Sequence, residues 1–254
     1  FFLDKALYPW SHKPVENFLK QGLHSVQRPF YSVKKVCRTM EHSINSAQWY
    51  QLDELTATIY NTSFDHLFEV VLKGIKQLVP YSHSLTYLLR SEDGLNVSFN
   101  FKSDEIPPEH LRLYLDKYSR LDFINWYTGT CAAEVFRESD ILPNDLRERS
   151  IFMKNWMEPI GLYHGAGMVI WCKGISYGSI FLYRPKDAED FSGQELEVLR
   201  VINRHLCLRA HALYPNGLGQ MFVQQGAGDG AVLSVTCLTK REREIIDCIR
   251  NHVL

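Results

Sequence analysis

From residue 46 onward the hydrophobic positions fall into two periods. Ser46 to Tyr60 and Ser63 to Leu78 repeat at helical spacing and read as two helices. In the second, Phe64, Leu67, Phe68, Val71, Leu72, Ile75 and Leu78 form a broad apolar face. Ser63 stands at the cap position and Pro80 follows the end. The period then drops to two. Ser84 to Leu89 and Leu95 to Phe101 read as strands joined by the turn Ser91-Glu92-Asp93-Gly94. Leu95, Val97, Phe99 and Phe101 alternate with Asn96, Ser98 and Asn100, which predicts one buried face and one wet face. Pro107 and Pro108 open a helix running to about Tyr118. After an irregular stretch, Met168 to Cys172 and Ile175 to Tyr183 predict a hairpin around Lys173-Gly174. A long helix follows, with Ser192 and Glu195 spaced as a capping box. Antiparallel strands with helices gathered at their sides make an α+β layer architecture.

The two ends break this pattern. Residues 1–43 carry Phe1, Phe2, Trp10, Phe18, Phe30 and Tyr31, with prolines at 9, 14 and 29. They read as an N-terminal extension that folds onto the core, or alternatively as a partner-binding arm. Residues 215–237 hold Gly217, Gly219, Gly226, Gly228 and Gly230, the composition of a flexible linker. The regular block between them is 44–214.

Residues 238–254 return to helical spacing. Thr239 can cap a helix, and Glu242, three residues on, can reach back to the cap amide. Ile245, Ile246, Ile249 and Val253 line one face, while Lys240, Arg243, Asp247 and Arg250 lie mostly off it.

Composition removes several classes. The 254 residues are 45% hydrophobic and 22% charged, as in ordinary globular proteins. A net charge of -1 gives no basic surplus for a nucleic-acid surface. The cysteines at 37, 131, 172, 207, 237 and 248 show no metal-ligand spacing, so no zinc or dithiol site is expected and no cofactor is assigned. They predict reduced thiols and a cytoplasmic setting. No apolar run approaches the roughly 20 residues of a membrane span, so no membrane partner is expected.

The terminal string Leu238, Thr239, Arg241, Glu242, Glu244, Ile245, Ile246, Ile249 resembles the opening of a LuxR-type helix-turn-helix. It departs from that pattern at Arg250, where a small residue is usual, and at His252, where glycine is usual. The resemblance implies that 238–254 is the first helix of an incomplete helix-turn-helix. DNA would be contacted only through a recognition helix beyond Leu254, since the second helix reads the base edges. Three further stretches resemble the GAF-like sensor domain that precedes such a DNA-binding half. They are YLDKYSRLDFINWY, then VFRESDILP with FMKNWMEPIGLYHGAG, then GSIFLYRPKDAEDFSGQELEVLRVINRHL. The implied fold is a GAF-like antiparallel sheet flanked by helices. The implied function is sensing a small-molecule effector and controlling DNA binding.

Residues 114–171 are rich in large rings, and a mostly apolar pocket with a few polar groups is the usual ligand site. The expected ligand contacts are Tyr87, Phe99, Phe101, Tyr114, Tyr118, Asp122, Phe123, Trp126, Tyr127, Trp156 and His164. Asp122 and His164 would fix the polar end. Alternatively, Asp122 caps the next turn and His164 satisfies a backbone group. No catalytic residues are expected, because Cys131 and Cys172 have no partner that the sequence places beside them. Haem ligation through His83 or His164 is a lesser reading. On the long helix Leu199, Ile202, Leu206, Ala210 and Leu213 form one stripe, with Val198, Val201 and Leu208 widening it. That surplus predicts a homodimer. The alternative functions are an acyl-homoserine-lactone receptor domain, which YSRLDFINWY also resembles, and a dimerisation module without a ligand.

Overall fold

A computed structural model describes residues 45–92, 95–129, 134–219 and 233–234. The expectations for 1–43 and 238–254, and most of those for 215–237, lie outside these residues.

Helix α1 (Ser46–Asn61) begins in a capping box that composition did not reveal. The Asn45 side chain accepts from Gln48 N, and the Gln48 side chain accepts from Asn45 N. Helix α2 (Phe64–Leu78) has Ser63 at its cap position, but the hydroxyl makes no cap bond; only its carbonyl does, to His66 N at 3.2 Å. Strands β1 (His83–Glu92) and β2 (Leu95–Asp104) pair antiparallel. Helix α3 (Pro108–Leu113) continues into a π-helical turn, Tyr114–Tyr118.

The irregular stretch resolves into short pieces. They are helix α4 (Phe123–Gly129), strand β3 (Val135–Arg137), and helices α5 (Glu138–Ile141) and α6 (Asn144–Arg147). A π-helical turn at Met153–Met157 and a 3-10 turn at Glu158–Ile160 follow. The hairpin is β4 (His164–Cys172) and β5 (Ile175–Arg184). Its two-residue loop has Lys173 at φ 49° and Gly174 at φ 86°, the positive values that a type I′ connection needs. Helix α7 (Gly193–Leu213) starts at the expected Ser192–Glu195 capping box. The chain later adds a two-residue strand, β6 (Leu233–Ser234), beside β2. Part of the Gly-rich segment therefore belongs to the sheet rather than to a linker.

The sheet order is β3-β4-β5-β1-β2-β6, with every pairing antiparallel. Helices α1, α2 and α7 cover one face, where Leu88, Met168, Ile170, Ile180 and Leu182 meet them. The segment from α3 to residue 163 covers the other, meeting Leu85, Tyr87, Val169, Phe181 and Tyr183. This is the α+β arrangement of an antiparallel sheet flanked by helices. Among the described residues no helix is long and apolar enough to cross a membrane.

The stripe on α7 is used within the chain. Leu199, Ile202, Leu206 and Ala210 are at most 1% exposed and lie in the chain's own core. Only Leu213, at 39%, faces out. The expected interface contacts at Leu199, Ile202, Leu206 and Ala210 are thereby corrected, because these residues fill the chain's own core, while Leu208 of the second row stays 47% exposed.

Candidate functional site

The second face of the sheet carries an aromatic layer. Pro107 ends the strand run and starts α3, which delivers Tyr114 and Tyr118 to the sheet at 3% and 5% exposure. Trp156 comes from the Met153–Met157 turn and is fully buried. It stacks on Phe152 at 5.1 Å and meets Tyr114 at 4.9 Å. Its indole N–H donates to His110 O at 3.1 Å. From the strands, Tyr87 lies 5.3 Å from Phe101 and 5.8 Å from Phe181. Tyr127 meets Phe136 at 5.2 Å, and Phe123 packs partly buried against the same cluster.

A polar network sits inside this layer. Tyr114 OH donates to Asp122 Oδ2 at 2.9 Å, and Ile124 N donates to Asp122 Oδ1 at 2.9 Å. Asn125 Nδ2 donates to Tyr114 OH at 3.1 Å and to Ser119 O at 2.7 Å. Asp122 thus caps α4, the alternative set out above, and its carboxylate lies among rings. Burial pushes it up to about 6, against the pull of the Ile124 and Tyr114 bonds. Burial, reinforced by nearby acids, raises Tyr114 and Tyr183 well above the usual phenol range. Tyr87 is pushed up to about 12 by burial, opposed by the nearby Ser179 and Thr128 hydroxyls.

A second buried charge lies at the β4 end. Glu138 and Arg147 are 2% and 0% exposed and 3.4 Å apart. Arg147 also donates to Tyr163 O and to Asn144 Oδ1, and its guanidinium lies 4.8 Å from the Tyr163 ring centre. Gly165 makes room for the acid, because a Cβ there would sit 2.2 Å from Glu138 Oε1. Burial and the Asp122 charge push Glu138 up to about 8, against the Arg147 charge.

The structure gathers Tyr87, Phe101, Tyr114, Tyr118, Asp122, Phe123, Tyr127 and Trp156 in one layer. It corrects two of the expected contacts. Phe99 lies in the helix-side core instead. Asn100 adopts φ 52° where the β1–β2 register shifts, and one extra residue turns Phe101 to the other face. His164 shares its side of β4 with Ala166, Met168 and Ile170, so it too faces the helices. Its Nδ1 lies 3.6 Å from Asp190 Oδ1, just before α7. The Trp126 side chain lies outside the described residues.

Sequence reasoning missed Ser179, Glu138 and Arg147. Ser179 is 1% exposed, with its hydroxyl beside the Tyr87 phenol. It pairs in register with Tyr87 and Val169, which puts it on the aromatic face. Its only signal was a serine just before the apolar run Ile180 to Tyr183. Glu138 and Arg147 stand nine positions apart on two short helices, and nothing local in the sequence pairs them.

Other chemistry finds less support. Among the described residues no group of three or more His, Cys, Asp or Glu could hold a metal ion. His83 Nδ1 is 2.8 Å from Ser82 Oγ. The Cys207 thiol is pushed up to about 12 by burial, which suits packing rather than nucleophilic attack.

No family model and no curated protein matches this chain. Solved structures do resemble it. The VqsR LBD domain of Pseudomonas aeruginosa is 11% identical over 65% of this chain and 94% of its own, with a TM-score of 0.46. An N-acylhomoserine lactone dependent LuxR family transcription factor, CepR2 of Burkholderia cenocepacia, is 16% identical over 66% and 95%, with a TM-score of 0.47. The GAF domain of an Acinetobacter phosphoenolpyruvate-protein phosphotransferase is 13% identical over 69% and 99%, with a TM-score of 0.48.

Proposed function

We propose that this chain is the ligand-sensing part of a LuxR-type transcriptional regulator. A small-molecule effector enters the aromatic layer, and the resulting shift in the sensor controls a DNA-binding half that opens at residues 238–254. The observation that carries the sensing half is a buried polar network set in apolar surroundings. Tyr114, Asp122 and Asn125 bond one another there, with Asp122 buried among the rings. A buried acid among rings suits a ligand with a polar end. The regulator half of the reading rests on the string Leu238 to Ile249 and the capping-box spacing of Thr239 and Glu242.

The rings touch one another, so a ligand is admitted by side-chain movement. Phe101, Phe123 and Tyr127 are only partly buried and form the movable rim. Ligand binding favours the open arrangement, which is a population shift. No chemical step is assigned to the site.

The test is organic extraction of the purified chain, with mass spectrometry of the extract, beside the Asp122→Asn variant. A compound present in near-stoichiometric amount and depleted in the variant is expected. A clean extract, together with no thermal stabilisation by any member of a small-molecule library, sinks the sensing reading. For the regulator half, cloning the genomic frame through residue 254 is expected to yield a turn and a second, basic helix.

A further inference from the structure

We infer that Cys172 and Cys207 are a redox-responsive thiol pair, which a hydroperoxide converts to a disulfide tying the end of β4 to α7. The inference does not depend on the aromatic layer being a ligand site.

The first observation is where the two side chains stand. Cys172 is the last residue of β4, and it packs against the helix-side core. Cys207 lies on α7 in that same core, 7% exposed. Both line one cleft of about 240 Å³, with Trp171, Arg204 and Leu208 among its other walls. The Trp171 backbone N–H lies against the Cys207 sulfur, so that sulfur sits one residue from Cys172 along β4. Cys207 is close enough to feel a charge on Cys172, and Tyr177 is close enough to feel both.

The second observation is freedom to close. The β4–β5 register shifts between Ile170 and Trp171, and a bulge bends its strand. Cys172 follows directly and leads into the Lys173-Gly174 turn. A terminal residue beside a turn can adjust to the Cβ–Cβ spacing of roughly 3.5–4.5 Å that a disulfide needs. Cys172 is half-buried and Cys207 buried, so an oxidant entering the cleft meets Cys172 first.

The chemistry takes two steps. The Cys172 thiolate attacks the hydroperoxide. An S–O bond forms, the O–O bond breaks, and the departing alkoxide or hydroxide takes up the proton that the thiol released. Cys172 is then a sulfenic acid. The Cys207 sulfur attacks Cys172 Sγ. The S–S bond forms, the S–O bond breaks, and hydroxide leaves with the Cys207 proton as water. The two thiols lose two electrons in all, and the hydroperoxide gains them. Burial pushes Cys207 up to about 12, so it does not compete for the oxidant and acts only on the oxidised Cys172 beside it.

The cross-link fastens α7 to the sheet, and α7 leads into the Gly-rich segment. In a reducing compartment such a bond is transient, which is the setting of redox sensing.

The test treats the reduced whole chain with a small molar excess of hydrogen peroxide. Remaining thiols are blocked with N-ethylmaleimide, and an unreduced tryptic digest is mapped by mass spectrometry. Peptides 155–173 and 205–209, joined through Cys172 and Cys207, are expected as the dominant cross-link of the folded chain. Dithiothreitol is expected to reverse it, and urea-unfolded chain to lose the preference. The oxidised protein is expected to melt at a higher temperature, because the bond constrains the unfolded chain. In Cys207→Ser, dimedone is expected to trap Cys172 as the sulfenic acid. Cys172 left unmodified, carried on to the sulfinic acid without a cross-link, or paired instead with Cys37, Cys131, Cys237 or Cys248 overturns the inference. The wild-type map decides even where Cys207→Ser fails to fold, and none of these outcomes bears on the aromatic layer.

Discussion

Phe99 and Phe101 stand two residues apart on β2 yet serve opposite faces of the sheet. Phe99 joins the helix-side core, and Phe101 lies 5.3 Å from Tyr87 in the aromatic layer. The residue between them, Asn100, is exposed at φ 52°, a left-handed conformation that asparagine tolerates and β-branched residues do not. The expected cost of Asn100→Val is about 1–2 kcal/mol, with Asn100→Gly close to neutral. Urea unfolding of the two variants checks this. Equal midpoints for both show that the backbone here is not constrained.

Asp122 gives the protein a signed dependence on pH. Its folded value is about 6 against an ordinary 3.8, so the folded state holds the proton more tightly than the unfolded one. Its contribution is full below about 4 and is lost as pH rises through 6. Over that window wild type loses on the order of 3 kcal/mol that Asp122→Asn does not. Unfolding free energies of both proteins at pH 4.5 and 7.5 supply the comparison. A difference between them that stays constant with pH contradicts the assignment.

Gly167 is a packing requirement. A Cβ there would lie 2.3 Å from the Phe136 ring. Gly167→Ala is expected to cost roughly 1–3 kcal/mol, the range for overpacking a core. Adding Phe136→Leu to Gly167→Ala recovers part of that loss. A double mutant no better than the single, by thermal denaturation, removes the proposed clash.

Trp156 supports the fold before it supports any ligand. It is fully buried between Phe152 and Tyr114. Trp156→Ala is expected to cost about 3–5 kcal/mol, so it cannot serve as a silent probe of binding. Tyr114→Phe is the gentler test. It removes one hydroxyl bonded to Asp122 and Asn125 and is expected to leave unfolding cooperative while weakening ligand stabilisation. A Tyr114→Phe protein that binds like wild type takes Tyr114 out of the site.

The Ser192–Glu195 box was legible in the sequence, and the structure shows its bonds: Glu195 N donates to Ser192 Oγ and Ser192 N to Glu195 Oε2. Ser192→Ala is expected to lower stability by about 1 kcal/mol, and Ser192→Gly by a few tenths. Glu195 also holds Arg184, which covers the Phe191 ring and donates to Pro80 O. A loss for Ser192→Ala near that of Ser192→Gly, measured by thermal melts, shows that the cap bond adds little.

Local chemistry along the chain determined helices α1, α2, α3 and α7, the hairpin turn at Lys173-Gly174, the capping box of α7 and the ring-rich character of the second layer. Each follows from residues within a few positions of one another, where periodicity and backbone preference act directly. The capping box at Asn45 and Gln48 is equally local and carries the same signature, so it too was legible in the sequence.

Only the tertiary structure decided which face each strand residue serves and which polar groups meet. A single bulge at Asn100 reverses the side of the sheet, and no periodicity announces a one-residue slip. The α7 stripe looked wide enough for two partners; the sheet beneath it took Leu199, Ile202, Leu206 and Ala210 into the chain's own core and left Leu208 and Leu213 exposed. Glu138, Arg147 and Asp122 become one electrostatic group because β4, with Gly165 lacking a side chain, lets distant short helices close over it. Burial set their charge states, and burial is a property of the whole fold.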